Sequence, residues 1–309
     1  MLLVANGSVL TRSAQTPFIP NGAVAIDGDT IVEVGPECEL KAKYPDAEYV
    51  DAQGNLIMPG LVNCHTHIYS GLARGLAIKG CNPTNFLENL EQQWWKIDDN
   101  LTLDGTKASA YATILDSIRD GVTTIFDHHA SFCEIPGSLF TIKDAAQELG
   151  MRSCLCYEVS DRRSQEKCDQ AIAENAEFAQ WAAKERRDND NHMIAAMPNV
   201  GWCEAMTMLF ENNAKMASKY FDRKLGVLEP GAAADVIVMD YKPFTPLSEE
   251  NIDGHMLFGM MGKNCRTTII NGRVLYKDRE FVGIDEDKIN AWTMAESKKL
   301  WSTLNDRAY

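Results

Sequence analysis

Residues 57–67 read Ile57-Met58-Pro59-Gly60-Leu61-Val62-Asn63-Cys64-His65-Thr66-His67, and the character of the chain changes within them. Pro59-Gly60 punctuates the sequence, as this pair does where one kind of structure gives way to another. Leu61 to His65 predicts a buried strand that runs out into a polar loop. Side chains alternate along a strand, so His65 and His67 share one face and Cys64 points to the other as a core thiol. Two imidazoles side by side at a strand end are two corners of a site for zinc, iron or manganese. A bare His-x-His pair is equally compatible with two unrelated polar histidines, so its surroundings carry the weight.

Upstream, residues 1 to about 58 read as short strands. Asp27-Gly28-Asp29 is a hairpin turn between Ala23–Ile26 and Thr30–Val34, and Gln53-Gly54 marks a second turn. Downstream, an aromatic and acidic helical stretch over 83–96 is expected, then a helix over 103–119 stopped by Gly121. Strands are expected at 122–126, 151–159 and 193–197, with helices at 138–149 and 165–187. That alternation means βα units and a parallel sheet. A helix over 202–217 closes the middle of the chain. Short strands then return at 235–239, 266–271 and 274–276, with Asn271-Gly272 as a two-residue turn, before an amphipathic helix over 285–304. The organisation expected is therefore α/β: residues 59–217 form βα units, and residues 1–58 and 218–309 pair into one composite β domain.

Thirty basic against forty-four acidic residues give a formal charge of −14, which argues against a nucleic-acid or anionic-membrane partner. A small molecule or a second copy of the chain is the expected partner. No apolar run approaches the roughly 20 residues needed to span a bilayer. The N-terminus lacks a basic region followed by a long apolar run, so a cytoplasmic protein is expected. The nine cysteines include no Cys-x-x-Cys pair and are expected to be reduced thiols. No Gly-x-Gly-x-x-Gly or phosphate loop points to a nucleotide cofactor.

The stretch 57–67, with Arg74-Gly75 after it, closely resembles the first barrel strand of the amidohydrolase superfamily in its aminohydrolase and chlorohydrolase branch. Residues 225–238 (Leu225-Gly226-Val227-Leu228-Glu229-Pro230-Gly231 and onward to Val238) resemble that family's re-entry into its composite β domain, and 271–276 its closing hairpin. The chain is most similar to SsnA-type aminohydrolases. The resemblance implies a (β/α)8 barrel beside a composite β-sandwich. It also implies a divalent metal, zinc or iron, with His65 and His67 as two of its ligands. The implied chemistry is hydrolysis at a carbon bearing an amino or chloro group, usually on a nitrogen heterocycle. A homo-oligomer is also expected.

The family's other ligands, a His on each of the fifth and sixth strands and an Asp on the eighth, match nothing here. The six histidines are 65, 67, 128, 129, 192 and 255, and no residue is assignable as the general acid/base. Only about 150 residues separate Leu61 from Ala217, where a complete barrel takes about 250 in all. The apparent join lies between Asn191 and Asn199. Two readings stay open: a central block belongs there, or the chain is an internally deleted, non-catalytic remnant. Acting alone, these 309 residues are expected to show no hydrolase activity. Of the remaining candidates, one of Asp127, His128 and His129 could line the pocket. Trp94-Trp95 is expected to pack, and Glu88, Glu91, Asp98 and Asp99 to form a solvated surface.

Overall fold

The structure, a computed structural model, describes residues 1–197, 213–243, 245–248, 252, 255 and 264–306. The chain divides into two compact units.

The first unit takes residues 1–63, 117–124 and 204–284. Its sheet has strands β1 (Leu2–Leu10), β2 (Phe18–Asp27), β3 (Thr30–Pro36), β4 (Glu48–Asp51), β5 (Leu56–Pro59), β10 (Val236–Met239), β11 (Cys265–Ile270), β12 (Arg273–Lys277) and β13 (Glu280–Phe281). The strand order is β13-β12-β11-β10-β5-β1-β2-β3, with β4 beside β1. The seam between the two ends of the chain is antiparallel pairing of β5 with β10, in which Ile57 faces Val238. Val4, Val24, Ile57, Val236, Val238 and Ile269 share one buried core, so residues far apart in sequence supply a single apolar face.

Two expected turns are realised. Gly28 adopts φ +57°, and Asn271 and Gly272 adopt φ +50° and +76°, the left-handed pair a tight hairpin needs. A Cβ on Gly272 would stand 1.8 Å from the Gly28 carbonyl oxygen, so one turn packs directly on the other. One element departs from the expected run of strands: Glu37–Lys43 is a helix, α1. Glu37 and Glu39 lie in its first turn and Lys41 and Lys43 in its last. That order suits the helix dipole, and a search for alternating apolar residues overlooks it.

The second unit takes residues 64–116, 125–203 and 285–309. Strands β6 (Leu61–Thr66), β7 (Val122–His129), β8 (Arg152–Tyr157) and β9 (Ile194–Ala196) form a sheet in the order β6-β7-β8-β9. β8 and β9 run parallel, with Cys154 opposite Ala195. Helices α2 (Leu103–Arg119), α3 (Ser138–Leu149) and α4 (Gln165–Asn189) alternate with these strands as expected. The α3 N-terminus is held from α4: both oxygens of buried Glu174 accept backbone N–H groups, from Gly137 at 2.7 Å and Leu139 at 2.8 Å. Helix α5 (Asn213–Phe221) belongs to the first unit. Helix α6 (Glu286–Asp306) belongs to the second, where Leu300 and Leu304 pack on Leu72, Ile97 and Leu101.

Two expectations need correction or lie out of reach. The stretch 83–96 is a broken helix: Phe86–Asn89 is α-helical, Leu90–Trp94 a π turn, and Trp95–Asp98 α-helical again. Of the proposed helix 202–217, residues 202–212 lie outside the described residues. So do Pro198 and Asn199 of the suspected join, although Met197 N–H still donates to the Leu155 carbonyl on β8.

Candidate metal centre and its surroundings

His65 and His67 come together at the end of β6, their rings edge-on with centroids 4.8 Å apart. His65 is exposed and His67 half-buried. The neighbouring strand sets the chemistry of His67. Its Nδ1 lies 3.0 Å from the His128 carbonyl oxygen. A carbonyl only accepts, so Nδ1 carries the proton and donates it, which leaves the lone pair on Nε2. Metal-binding imidazoles are usually oriented in this way, through the nitrogen that does not bind. Burial first, and then the nearby His65, hold the His67 pKa below the ordinary histidine value. A neutral imidazole is what a metal requires.

The end of β7 surrounds this pair. The His128 ring stands edge-on to His67 at 5.7 Å, and burial together with His67 and His65 lowers its pKa. Asp127 is fully buried, and its Oδ1 accepts the Ile68 N–H at 2.6 Å. Burial pushes its carboxyl up to about 8. His129 is also fully buried, with Nε2 2.9 Å from Ser131 Oγ, and burial drives its pKa down to about 3. Of the three residues expected at this strand end, His128 is therefore the one that meets the His65-His67 pair. Cys64 and Cys156 are pushed up to about 12 by burial and stay protonated thiols.

Beyond Tyr69, whose ring lies 5.7 Å from His67 and 6.4 Å from Trp94, is an ionic cluster. Asp98, expected on the solvated surface, is 1% exposed. It ends the helical turn Trp95–Asp98, which follows the π turn at Leu90–Trp94. Arg162, in the loop after β8, pairs with both Asp98 and Glu158. Its guanidinium also lies 3.9 Å from the Phe132 ring centre and 5.4 Å from that of Trp95. Arg163 pairs with Asp99 at 2.5 Å and approaches Trp95 from 5.7 Å. Burial raises the Asp98 pKa to about 7 against the pull of Arg162. Sequence reasoning missed this cluster, since partners 64 residues apart leave no local pattern.

The two imidazoles fit a divalent metal as two corners of its shell. Among the described residues no group of three or more His, Cys, Asp or Glu side chains is arranged to hold one.

Residues 56–202 match the amidohydrolase family model, and residues 22–47 match an imidazolonepropionase-like composite domain of bacteria. The chain is 31% identical over 184 residues to a 5′-deoxyadenosine deaminase of Methanococcoides burtonii, covering 59% of this chain and 39% of that protein. It is 33% identical over 152 residues to a 5-methylthioadenosine/S-adenosylhomocysteine deaminase of Syntrophobacter fumaroxidans, covering 49% and 32%. The chain spans about two fifths of the length of the first of the curated relatives it matches. The zinc complex of atrazine chlorohydrolase TrzN from Arthrobacter aurescens aligns with TM-score 0.65 and 17% identity, over 96% of this chain and 100% of that one. A zinc-bound adenosine deaminase from Xanthomonas campestris aligns with TM-score 0.70 and 15% identity, over 97% and 98%. Over residues 56–202 the chain is thus similar to the amidohydrolase family, and the curated relatives that it matches in part are deaminases. The fold is that of a (β/α)8 barrel, as in these solved structures, and four strands of the barrel sheet are present among the described residues. No helix among them is long and apolar enough to cross a membrane.

Proposed function

We propose that this chain carries the His-x-His part of a metal-dependent hydrolase site that cleaves a C–N or C–Cl bond of a small nitrogen heterocycle. His65 and His67 are two ligands of its metal, and zinc is the metal. The observation that carries the reading is the Nδ1 proton of His67 held on the His128 carbonyl, which turns the Nε2 lone pair into a ligand. A bound divalent metal supplies this chemistry by lowering the pKa of water towards neutrality. The chain's own residues bind and orient: the end of β7 fixes the ring of His67, and burial keeps it neutral. No residue of this chain is assigned the proton shuttle. The domain proposal is 1–58, 59–217 and 218–309, with α5 reassigned to the composite β part and α6 to the barrel part.

Equilibrium dialysis against zinc, followed by metal analysis, tests the ligand assignment. Wild-type chain should retain zinc, and His65→Ala and His67→Ala should each lose it. Absence of zinc from the wild type, or undiminished zinc in both variants, refutes the reading. Ammonia or chloride release from purine nucleosides and chlorotriazines should be undetectable with these 309 residues alone. The alternative, a non-catalytic remnant that self-associates, draws support from the barrel sheet ending at β9 among the described residues. Parallel sheets are normally covered at their edges, so sedimentation should report a dimer or larger species under that reading.

A further inference from the structure

We infer that Asp127 is a positioning residue for His67, acting with the His128 carbonyl as a two-point clamp on the turn that follows β6. The inference rests on the proposed metal-ligand role of His67 for its functional meaning, and on the structure alone for its geometry.

Two consecutive residues of β7 grip two consecutive residues past the end of β6. The Asp127 carboxyl accepts the Ile68 N–H at 2.6 Å, and the His128 carbonyl accepts from His67 Nδ1 at 3.0 Å. The first contact fixes the backbone immediately after His67, where a short 3-10 turn begins at Ile68. The second fixes the ring. Neither suffices alone: a ring hydrogen bond orients nothing if its own backbone can drift, and a pinned backbone leaves the imidazole free to flip.

The cost of Asp127 argues that the contact has a purpose. The residue is fully buried, no basic side chain pairs with it, and its Oδ2 has no hydrogen-bond partner among the described residues. One hydrogen bond contributes about 1 kcal/mol net, whereas burying a polar group without full compensation costs at least as much. An apolar residue would serve packing better at this position. Ile68 and Cys156, both of which reach Asp127, are themselves buried. What an apolar residue cannot do is accept the Ile68 N–H, the first donor of a turn that has no side-chain cap.

Nitrogen-15 NMR of the histidine rings tests this without any metal. In the wild-type chain His67 should be predominantly the Nδ1–H tautomer at neutral pH, and a predominantly Nε2–H ring would overturn the clamp. Asp127→Asn keeps an acceptor oxygen and should preserve the tautomer. Asp127→Leu keeps the volume and loses the acceptor, so His67 should become a mixture of tautomers. Zinc affinity, measured by competition with a chelating dye, should fall by about 10- to 100-fold in the Leu variant and stay near wild type in the Asn variant. A folded Leu variant with unchanged tautomer and affinity refutes the inference. If the Leu variant does not fold, the wild-type tautomer and the Asn comparison still decide. Loss of zinc binding by the wild type itself would count against the metal reading only, because the ring tautomer is read independently.

Discussion

Arg162 neutralises Asp98 where water hardly reaches either group, their side chains being 12% and 2% exposed. Removing one partner of such a pair leaves a buried charge uncompensated. Arg162→Met should therefore cost about 3–5 kcal/mol in urea unfolding at pH 8. The loss should shrink at pH 5, where Asp98 takes up a proton instead of staying charged. The double variant Arg162→Met, Asp98→Leu should recover most of the stability, since neither charge remains.

Two buried groups should tilt the pH–stability curve in opposite directions. Asp98 rises from 3.8 to about 7 on folding, so the folded state holds the extra proton. Its stabilising contribution is complete below pH 3.8 and is lost as pH climbs through about 7. His129 falls from 6.5 to about 3, so its contribution is present above pH 6.5 and is lost as pH drops through about 3. Asp98→Asn should flatten the first limb and His129→Gln the second, by up to about 1.4 kcal/mol per pH unit for each group. Unfolding free energies at pH 4, 5.5, 7 and 8 check both signs.

Glu174 accepts two N–H groups at the start of α3, where Gly137 offers no side chain of its own as a cap. Orphan donors at a buried helix end are costly. Glu174→Ala should destabilise by about 1–3 kcal/mol, and Glu174→Gln, with one acceptor oxygen left, should fall between. Hydrogen exchange of the Gly137 and Leu139 amides should accelerate in the Ala variant first.

The two turns that meet in the β unit allow a controlled comparison. Gly272 and Gly283 have similar φ, +76° and +72°, but a Cβ at 283 meets nothing within 4 Å. Gly283→Ala should show only the left-handed penalty, about 1–2 kcal/mol. Gly272→Ala carries the same penalty plus a clash with the Gly28 carbonyl, and should lower the melting temperature distinctly further.

The parts of this molecule that were legible in sequence are the ones with local causes. Alternation over Leu61–His67, the helix stop at Gly121 and the Asn271-Gly272 turn each depend on residues within a few positions. The fold class and the meeting of His65 with His67 followed from them. Asp98 was misread because an acidic side chain is ordinarily solvated, and the arginine that accompanies its burial lies 64 residues away. Arg162 and Glu174 escaped notice because their partners lie 64 and up to 37 residues away. Asp127-His128-His129 was recognised as a strand end, but which member faced the histidine pair depended on the registry of β7 against β6. Helix α1 was overlooked because its signal lies in the order of its charges.

The seam between β5 and β10 has a consequence for synthesis. Ile57 and Val238 pair across 181 residues. At about 5–20 residues per second the ribosome needs roughly ten to forty seconds to deliver the second strand after the first. During that interval the nascent chain presents the bare edge of β5 and an apolar face whose cover has not yet been made. A product released before Val236 keeps that edge open permanently and is expected to aggregate, so prematurely terminated forms should collect in the insoluble fraction.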